Sequence, residues 1–226
     1  MQNKACKISA SLMCVDPYKM QSDLDVLKNE NIDYFHIDIM DGHFVPNYGL
    51  SLDFCQKLRR NSKIPFDYHL MIEEPHKLIP KLDLRENDIV SIHYESTYYI
   101  QEVIKQIKKS KAKLFIAIKP TTPIIILDKI IGYIDGVNFL TVNPGFAGQR
   151  ILDISYKKAE KLIEYLDSKQ TDSIEIEVDG NMDLKNIKIF KELGANIFVA
   201  GTSSIFGKND IKNEIGKIKD IIINED

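Results

Sequence analysis

Residues 36–47 combine side-chain types that can bind a metal ion. His36, Asp38 and Met40 alternate with isoleucines, and this period of two predicts a β-strand that carries all three on one face. An imidazole and a carboxylate at the end of a strand are costly to bury without a partner. A divalent cation that accepts both would remove that cost, whereas a hydrogen-bonded pair in the core would satisfy them without a ligand.

Polar residues of the same kind belong to two later strand-like runs. His69 lies on one face with Met71 in the run at 66–71, and Asp179 follows the run at 174–178. If these runs are parallel strands of one barrel, His36, Asp38, His69 and Asp179 would converge at its carboxyl end. Each residue alone is more often structural, but four at matching strand ends favour a metal site. Two imidazoles and two carboxylates suit Zn²⁺, with Fe²⁺, Mn²⁺, Co²⁺ and Mg²⁺ as alternatives.

Glycine-rich segments follow the last three strand-like runs. They are Asn143-Pro-Gly145-Phe-Ala-Gly148, then Gly180, then Gly201-Thr202-Ser203. Backbone amides exposed by such loops near helix N-termini form phosphate sites at the end of the last strands of a barrel. Ordinary turns also use glycine, so a single loop is weak evidence, whereas three in succession favour a phosphate site.

The elements that must position these residues alternate regularly between apolar and amphipathic runs. Strands are predicted at 7–12, 34–38, 66–71, 89–93, 113–118, 137–142, 174–178 and 197–200. Helices are predicted at 19–29, 51–60, 74–82, 98–109, 122–133, 155–169, 184–193 and 208–223. This order predicts a single-domain (β/α)8 TIM barrel over residues 1–226, with an open doubly wound sheet as the competing fold.

Composition excludes several classes of partner. The 226 residues carry a net charge of −3, which argues against an extended nucleic-acid footprint. No run has the roughly 18 apolar residues of a membrane span, and no signal peptide is recognisable. The three cysteines, Cys6, Cys14 and Cys55, lack metal-binding spacing. They predict reduced thiols in a cytoplasmic protein.

The chain resembles the ribulose-phosphate 3-epimerase family over nearly its whole length. The most specific segments are 36–47, Asp67-Tyr-His69-Leu-Met71, residues 141–149 and Glu177-Val-Asp179-Gly180. The resemblance implies that His36, Asp38, His69 and Asp179 bind the metal, and that Asp38 and Asp179 form the acid/base pair. Substrate contacts are expected from Ser11, Met40, His69, Met71, Asn143, Gly145, Phe146, Ala147, Gly148, Gly180, Asn181, Gly201, Thr202 and Ser203.

This resemblance implies a small-molecule ketose phosphate as substrate and no organic cofactor. Since relatives form dimers and hexamers, a homo-oligomer is expected. Epimerisation next to a ketone would proceed through a cis-enediolate, with one carboxylate removing a proton and the other returning one on the opposite face. Met13, Met40 and Met71 would form an apolar floor beside it, although plain barrel packing is an equal interpretation.

The identity of the ketose phosphate depends on smaller details. Ser11-Leu-Met13-Cys14, Ala147 and a loop at 200–206 that is one residue longer than usual resemble the subgroup acting on D-allulose 6-phosphate. A longer loop would set the phosphate back and admit an extra carbon. The expected reaction is therefore D-allulose 6-phosphate to D-fructose 6-phosphate, with D-ribulose 5-phosphate to D-xylulose 5-phosphate as the alternative.

Rival functions and departures from the family pattern leave four residues open. A non-catalytic phosphosugar-binding barrel would not need two opposed aspartates. A decarboxylase would need a lysine at a strand end, and no lysine of the second or third strand lies beside Asp38 or His69. A Schiff-base aldolase would need a barrel-facing lysine, for which Lys119 is the only candidate. Lys119 would contact phosphate or adjust packing, and Asn181 would donate an amide. His93 and Glu95 would reach the rim of the site or form a structural pair.

Overall fold

Eight parallel strands close into a barrel in the order of the chain, as the sequence predicted. The computed structural model describes residues 4–171, 173–208 and 210–223, so both ends of the predicted 1–226 domain lie outside the described residues. The strands are β1 Lys7–Ser11, β2 Tyr34–Met40, β3 Phe66–Met71, β4 Ile89–His93, β5 Lys113–Ile118, β6 Gly136–Leu140, β7 Glu175–Asp179 and β8 Ile197–Ala200. Parallel pairing of β8 with β1 completes the closure.

Amphipathic helices cover the outside of the barrel. They are α1 Met20–Asn29, α2 Leu52–Asn61, α3 Ile100–Ser110, α4 Ile154–Ser168, α5 Leu184–Glu192 and α6 Ile211–Ile223. Their apolar faces and the outward side chains of the strands form the main hydrophobic core, in which Ile37, Leu70 and Ile116 are fully buried. No helix among the described residues is long and apolar enough to cross a membrane.

Two helix predictions were wrong. The segment predicted as a helix at 74–82 forms two short 3-10 turns, Pro75–Lys77 and Ile79–Lys81. Pro80 lies inside it, and a proline there removes a helical N–H and clashes with the preceding turn. The segment predicted at 122–133 forms the 3-10 turns Ile124–Lys129 and Ile131–Tyr133. Its run of β-branched isoleucines and Gly132 disfavour a continuous α-helix.

Register brings the polar residues of adjacent strands to the same height. Asp38 on β2 pairs with His69 on β3, and His69 pairs in turn with Ser91 on β4. Because side chains alternate across a strand, the residues that face the barrel axis on β2 and β3 form one polar surface. The outward residues of the same strands are apolar. The fold therefore places a buried polar interior beneath the carboxyl ends of the strands.

Candidate active site

A cavity of about 600 Å³, open to solvent, lies at the carboxyl end of the barrel. This is the end at which barrel enzymes bind their substrates. Every residue expected to contact substrate lines it: Ser11, Met40, His69, Met71, Asn143, Gly145, Phe146, Ala147, Gly148, Gly180, Asn181, Gly201, Thr202 and Ser203. Asp38 and Asp179 also line the cavity, whereas His36 is buried below it.

The four residues expected to bind metal converge beneath the cavity. His36, Asp38, His69 and Asp179 each direct one ligand atom to a common point, and these atoms lie within 4.8 Å of one another. His69 Nδ1 lies 3.4 Å from Asp38 Oδ1 and 3.4 Å from Asp179 Oδ2. His36 Nε2 lies 3.4 Å from Asp38 Oδ1 and 3.9 Å from Asp179 Oδ2.

This arrangement fits a divalent cation. Buried His36 Nε2 and His69 Nδ1 have no hydrogen-bond partner among the described residues, although both face carboxylate oxygens. Four bonds of about 2.0–2.1 Å in a tetrahedron hold their ligand atoms roughly 3.4 Å apart, close to the spacings seen here. The described residues therefore include a candidate metal site with two nitrogen and two oxygen donors.

Electrostatics at the site favour positive charge. Burial alone would lower the pKa of His36, but the carboxylates of Asp67 and Asp38 raise it well above its usual value. Burial alone would raise the pKa of Asp38, yet His36 and His69 hold it below its usual range. The same negative potential that retains a proton on imidazole favours a bound cation.

A second layer of polar side chains supports His36 from below. His36 Nδ1 lies 2.6 Å from Asp67 Oδ2, and the Ser9 hydroxyl donates to the same oxygen at 2.7 Å. Glu177 lies next to Asp67, where burial and the Asp67 charge raise the pKa of Glu177 well above its usual value. The pKa of Asp67 is lowered, because the effect of His36 outweighs that of burial.

His93 supports the second histidine. It is fully buried at the end of β4, and its Nε2 lies 2.9 Å from Nε2 of His69. Burial, together with the neighbouring His69 and Lys119, lowers the pKa of His93 well below its usual value, so this imidazole is neutral. Neither role expected for His93 is observed, because it does not line the cavity and its hydrogen-bond partner is His69 rather than Glu95. Glu95 instead accepts a hydrogen bond from Thr122.

Apolar side chains form one wall of the cavity. Met40, Met71 and Val45 form a separate small cluster, against which Met13 and Phe44 pack. The three methionines also line the cavity, so they contribute to the site as well as to barrel packing. Their polarizable, unbranched side chains fill the space beside the carboxylates and keep water away from it.

Amide side chains hold the loop after β6 in place. Gln149 Nε2 donates to the carbonyls of Asn143 and Phe146 at 2.6 and 2.8 Å. Asn47, from the loop after β2, donates to the carbonyl of Gly145 at 2.7 Å. Gly145 has a φ of +114°, a conformation that favours glycine. With their carbonyls bonded to these amides, Asn143, Gly145 and Phe146 are fixed along the cavity wall.

Two residues that the sequence left open have structural contacts. Asn181 Nδ2 donates to the carbonyl of Gln149 at 2.7 Å, so this amide connects the loops after β6 and β7. Lys119 Nζ lies 3.3 Å from Glu95 Oε1 and does not line the cavity. Packing is therefore the role observed for Lys119, and it offers no amine to a Schiff base in the cavity.

Sequence reasoning did not identify the supporting roles of Asp67, Asn47 and Gln149. Asp67 had a usable signal, because it lies two residues before His69 on one strand and therefore faces the same interior. No sequence signal pointed to Asn47 or Gln149, since their partners are backbone carbonyls whose directions depend on the folded loop.

Comparison with known proteins places this site in context. A sequence model described as the ribulose-phosphate 3 epimerase family matches residues 7–206, which include all four metal-site residues. A ribulose-phosphate 3-epimerase of Bacillus subtilis is 33% identical over 94% of this chain and 98% of its own. The Methanocaldococcus jannaschii protein of that name is 30% identical over 95% of this chain and 90% of its own. A chloroplastic ribulose-5-phosphate-3-epimerase of Arabidopsis thaliana is 34% identical over 94% of this chain and 75% of its own.

Solved structures support the fold alone. KGPDC from Streptococcus mutans superposes with a TM-score of 0.71, covering 97% of this chain and 98% of that one, at 13% identity. The 3-hexulose-6-phosphate synthase from Salmonella typhimurium gives a TM-score of 0.66, covering 96% of this chain and 98% of that one, at 14% identity. Both comparisons agree with a (β/α)8 barrel.

Proposed function

Since the chain belongs to the ribulose-phosphate 3-epimerase family, we propose that it interconverts D-ribulose 5-phosphate and D-xylulose 5-phosphate by inversion at C3. The family makes it an isomerase acting on a sugar phosphate. The observation that carries the proposal is the convergence of His36, Asp38, His69 and Asp179 at the base of the cavity. A binding protein without catalytic activity would not need both aspartates there.

The names of the relatives support the pentulose phosphate rather than the hexulose phosphate. The three relatives described above are all named for ribulose phosphate, and the Arabidopsis name specifies ribulose 5-phosphate. The longer loop after β8 had favoured D-allulose 6-phosphate. In the structure the N–H groups of Ser204, Ile205 and Phe206 all donate to the carbonyl of Gly201, so this loop forms a compact turn. D-Ribulose 5-phosphate therefore replaces the hexulose phosphate as the proposed substrate.

Asp38 and Asp179 would exchange the proton at C3. Both line the cavity, Asp38 from β2 and Asp179 from β7. One carboxylate would remove the C3 proton from one face, and the other, starting protonated, would deliver a proton to the opposite face. The Ser11 hydroxyl donates to Asp38 Oδ2 at 3.2 Å and orients that carboxylate.

A metal ion would be held by the same four side chains, and we propose Zn²⁺ from the mixed nitrogen and oxygen donors. When bound, a divalent cation supplies positive charge next to the ketose oxygens on which negative charge develops. Met13, Met40 and Met71 would exclude water from that region.

The phosphate would lie across the glycine-rich loops. Gly180 has a φ of +106°, and a Cβ there would lie 2.7 Å from Thr141 Oγ1, so a side chain would not fit. Gly201 approaches Cys14 closely, since a Cβ would lie 3.1 Å from its sulfur. Backbone N–H groups in these loops, with the Thr202 and Ser203 segment, are the donors available to a phosphate.

The substrate proposal is tested by measuring kcat/KM for both ketose phosphates with one metal-loaded preparation. We expect D-ribulose 5-phosphate to be preferred by at least tenfold, because one extra carbon in a fitted pocket changes kcat/KM by about 10–200-fold. Asp179→Asn, which cannot transfer the proton, controls for contaminating activity. Preference for D-allulose 6-phosphate would overturn the pentulose assignment and leave the epimerase chemistry intact.

A further inference from the structure

The hydrogen bond between His69 and His93 requires one imidazole to donate a proton and the other to accept it. Their Nε2 atoms lie 2.9 Å apart, and the two rings meet edge to edge, with centroids 5.1 Å apart and planes inclined at 28°. A neutral imidazole has one N–H donor and one acceptor nitrogen. Only one of the two Nε2 atoms can therefore carry the shared proton.

The position of His69 Nδ1 decides which nitrogen carries it. Within the part of the chain that the structure describes, that atom has no hydrogen-bond partner, and it faces Asp38 and Asp179 at 3.4 Å each. A histidine nitrogen that binds a metal must present its lone pair, so the ring proton of His69 must be on Nε2. His93 then accepts with its own Nε2 and carries its proton on Nδ1.

We propose that His93 is a positioning residue for the metal centre. By accepting the Nε2–H of His69, it fixes the ring orientation and the tautomer that direct Nδ1 into the site. This inference rests on the proposed function, because it concerns the metal ligands of that site. His36 is supported differently, since its second nitrogen contacts the carboxylate of Asp67. His36 thus has an anionic partner in Asp67, whereas His69 has a neutral partner in His93.

The surroundings of His93 hold its ring in place. Phe44 packs on it with centroids 4.7 Å apart, and the Ser96 hydroxyl donates to its backbone carbonyl at 2.7 Å. Lys119 Nζ in turn lies over the ring of Phe44, 5.5 Å from its centroid. A ring packed against both Phe44 and His69 has little freedom to turn, so the acceptor stays aimed at His69.

The experiment compares His93→Phe, which keeps the ring but has no acceptor, with His93→Gln, whose side-chain oxygen can accept. Cobalt(II) is the probe, because its affinity is measurable by chelator competition and its visible spectrum reports ligand geometry. Loss of a hydrogen-bond partner to a metal ligand weakens binding by about 10–100-fold. We expect that loss and a changed spectrum in His93→Phe, with most of the affinity recovered in His93→Gln. His76→Phe, which alters another histidine packed against an aromatic ring but outside the cavity, is the matched control.

A second measurement reads the tautomers directly. In the zinc-loaded protein, ¹⁵N NMR of the imidazoles should show His69 protonated at Nε2 and His93 protonated at Nδ1. Protonation of His93 at Nε2, or cobalt affinity in His93→Phe within twofold of the wild type, would overturn the inference. A wild-type protein that binds no cobalt would instead overturn the proposed metal centre itself.

Discussion

His36 Nδ1 lies 2.6 Å from Asp67 Oδ2 in the fully buried interior of the barrel, directly below the cavity. Because the opposite nitrogen of His36 faces Asp38 and Asp179, the contact with Asp67 sets which nitrogen is free to bind a metal. The orientation of His36 thus depends on a residue that does not line the cavity.

Replacing Asp67 by Asn should weaken metal binding. The neutral amide orients His36 less strongly and makes it a less basic ligand, and the expected loss of cobalt affinity is about 10–100-fold. Chelator competition measures the cobalt affinity of the variant and of the wild type. Asp33→Asn is the matched control, because Asp33 accepts a hydrogen bond from the backbone of Ile8 and lies outside the cavity. Equal cobalt affinity in the two variants would contradict a role for Asp67 at the metal centre.

Replacing Gln149 by Met should weaken substrate binding without changing the metal site. The variant keeps the length of the side chain but loses both hydrogen bonds to the loop carbonyls. Each such bond contributes about 0.5–1.5 kcal/mol, so KM should rise roughly tenfold while cobalt affinity stays the same. Steady-state kinetics on D-ribulose 5-phosphate measure the change. Gln21→Met, on the exposed face of α1, makes the same chemical change elsewhere and should leave KM unaltered.

Glu175 should stabilise the opposite end of the barrel in a pH-dependent way. It contacts Lys7 and Lys113, and their charges lower its pKa although burial opposes this. A carboxyl whose pKa is lower in the fold than in the unfolded chain stabilises above the unfolded value of 4.5 and loses that contribution as the pH falls through the folded value.

Glu175→Gln should therefore lower the free energy of unfolding by about 1–3 kcal/mol at pH 7. The difference from the wild type should be constant between pH 6 and 8, and should shrink below pH 4.5. Urea unfolding of the metal-free protein measures it, with the exposed Glu160→Gln as control. If the difference in the free energy of unfolding between Glu175→Gln and the wild type does not shrink below pH 4.5, the ion pairs are not the source of the stability.

The sequence was sufficient to predict that the four candidate metal ligands converge, because this required only two regular properties of the fold. Alternation along a strand put His36 and Asp38 on one face, and parallel strands put His69 and Asp179 at the same end. Neither step needed side-chain contacts between distant residues. The alternating apolar and amphipathic runs predicted the barrel for the same reason.

Contacts that depend on folded loops and strand register could not be predicted in this way. The pair His69–His93 requires both the register of β3 with β4 and the ring orientations. Asn181 was expected to donate to a phosphate, yet its amide reaches the carbonyl of Gln149, a direction set only once both loops are folded. In the 74–82 segment, Pro80 overrode a helical pattern that periodicity alone had suggested.

The most direct test of the account follows the C3 proton by NMR in deuterated buffer. Metal-loaded protein with D-ribulose 5-phosphate should introduce deuterium at C3 and produce D-xylulose 5-phosphate. Asp38→Asn and Asp179→Asn should each abolish epimer formation, because the two faces of C3 need separate carboxylates. If the metal-loaded wild type exchanges no C3 proton of D-ribulose 5-phosphate or D-allulose 6-phosphate, the two aspartates do not perform this chemistry and the epimerase assignment is contradicted.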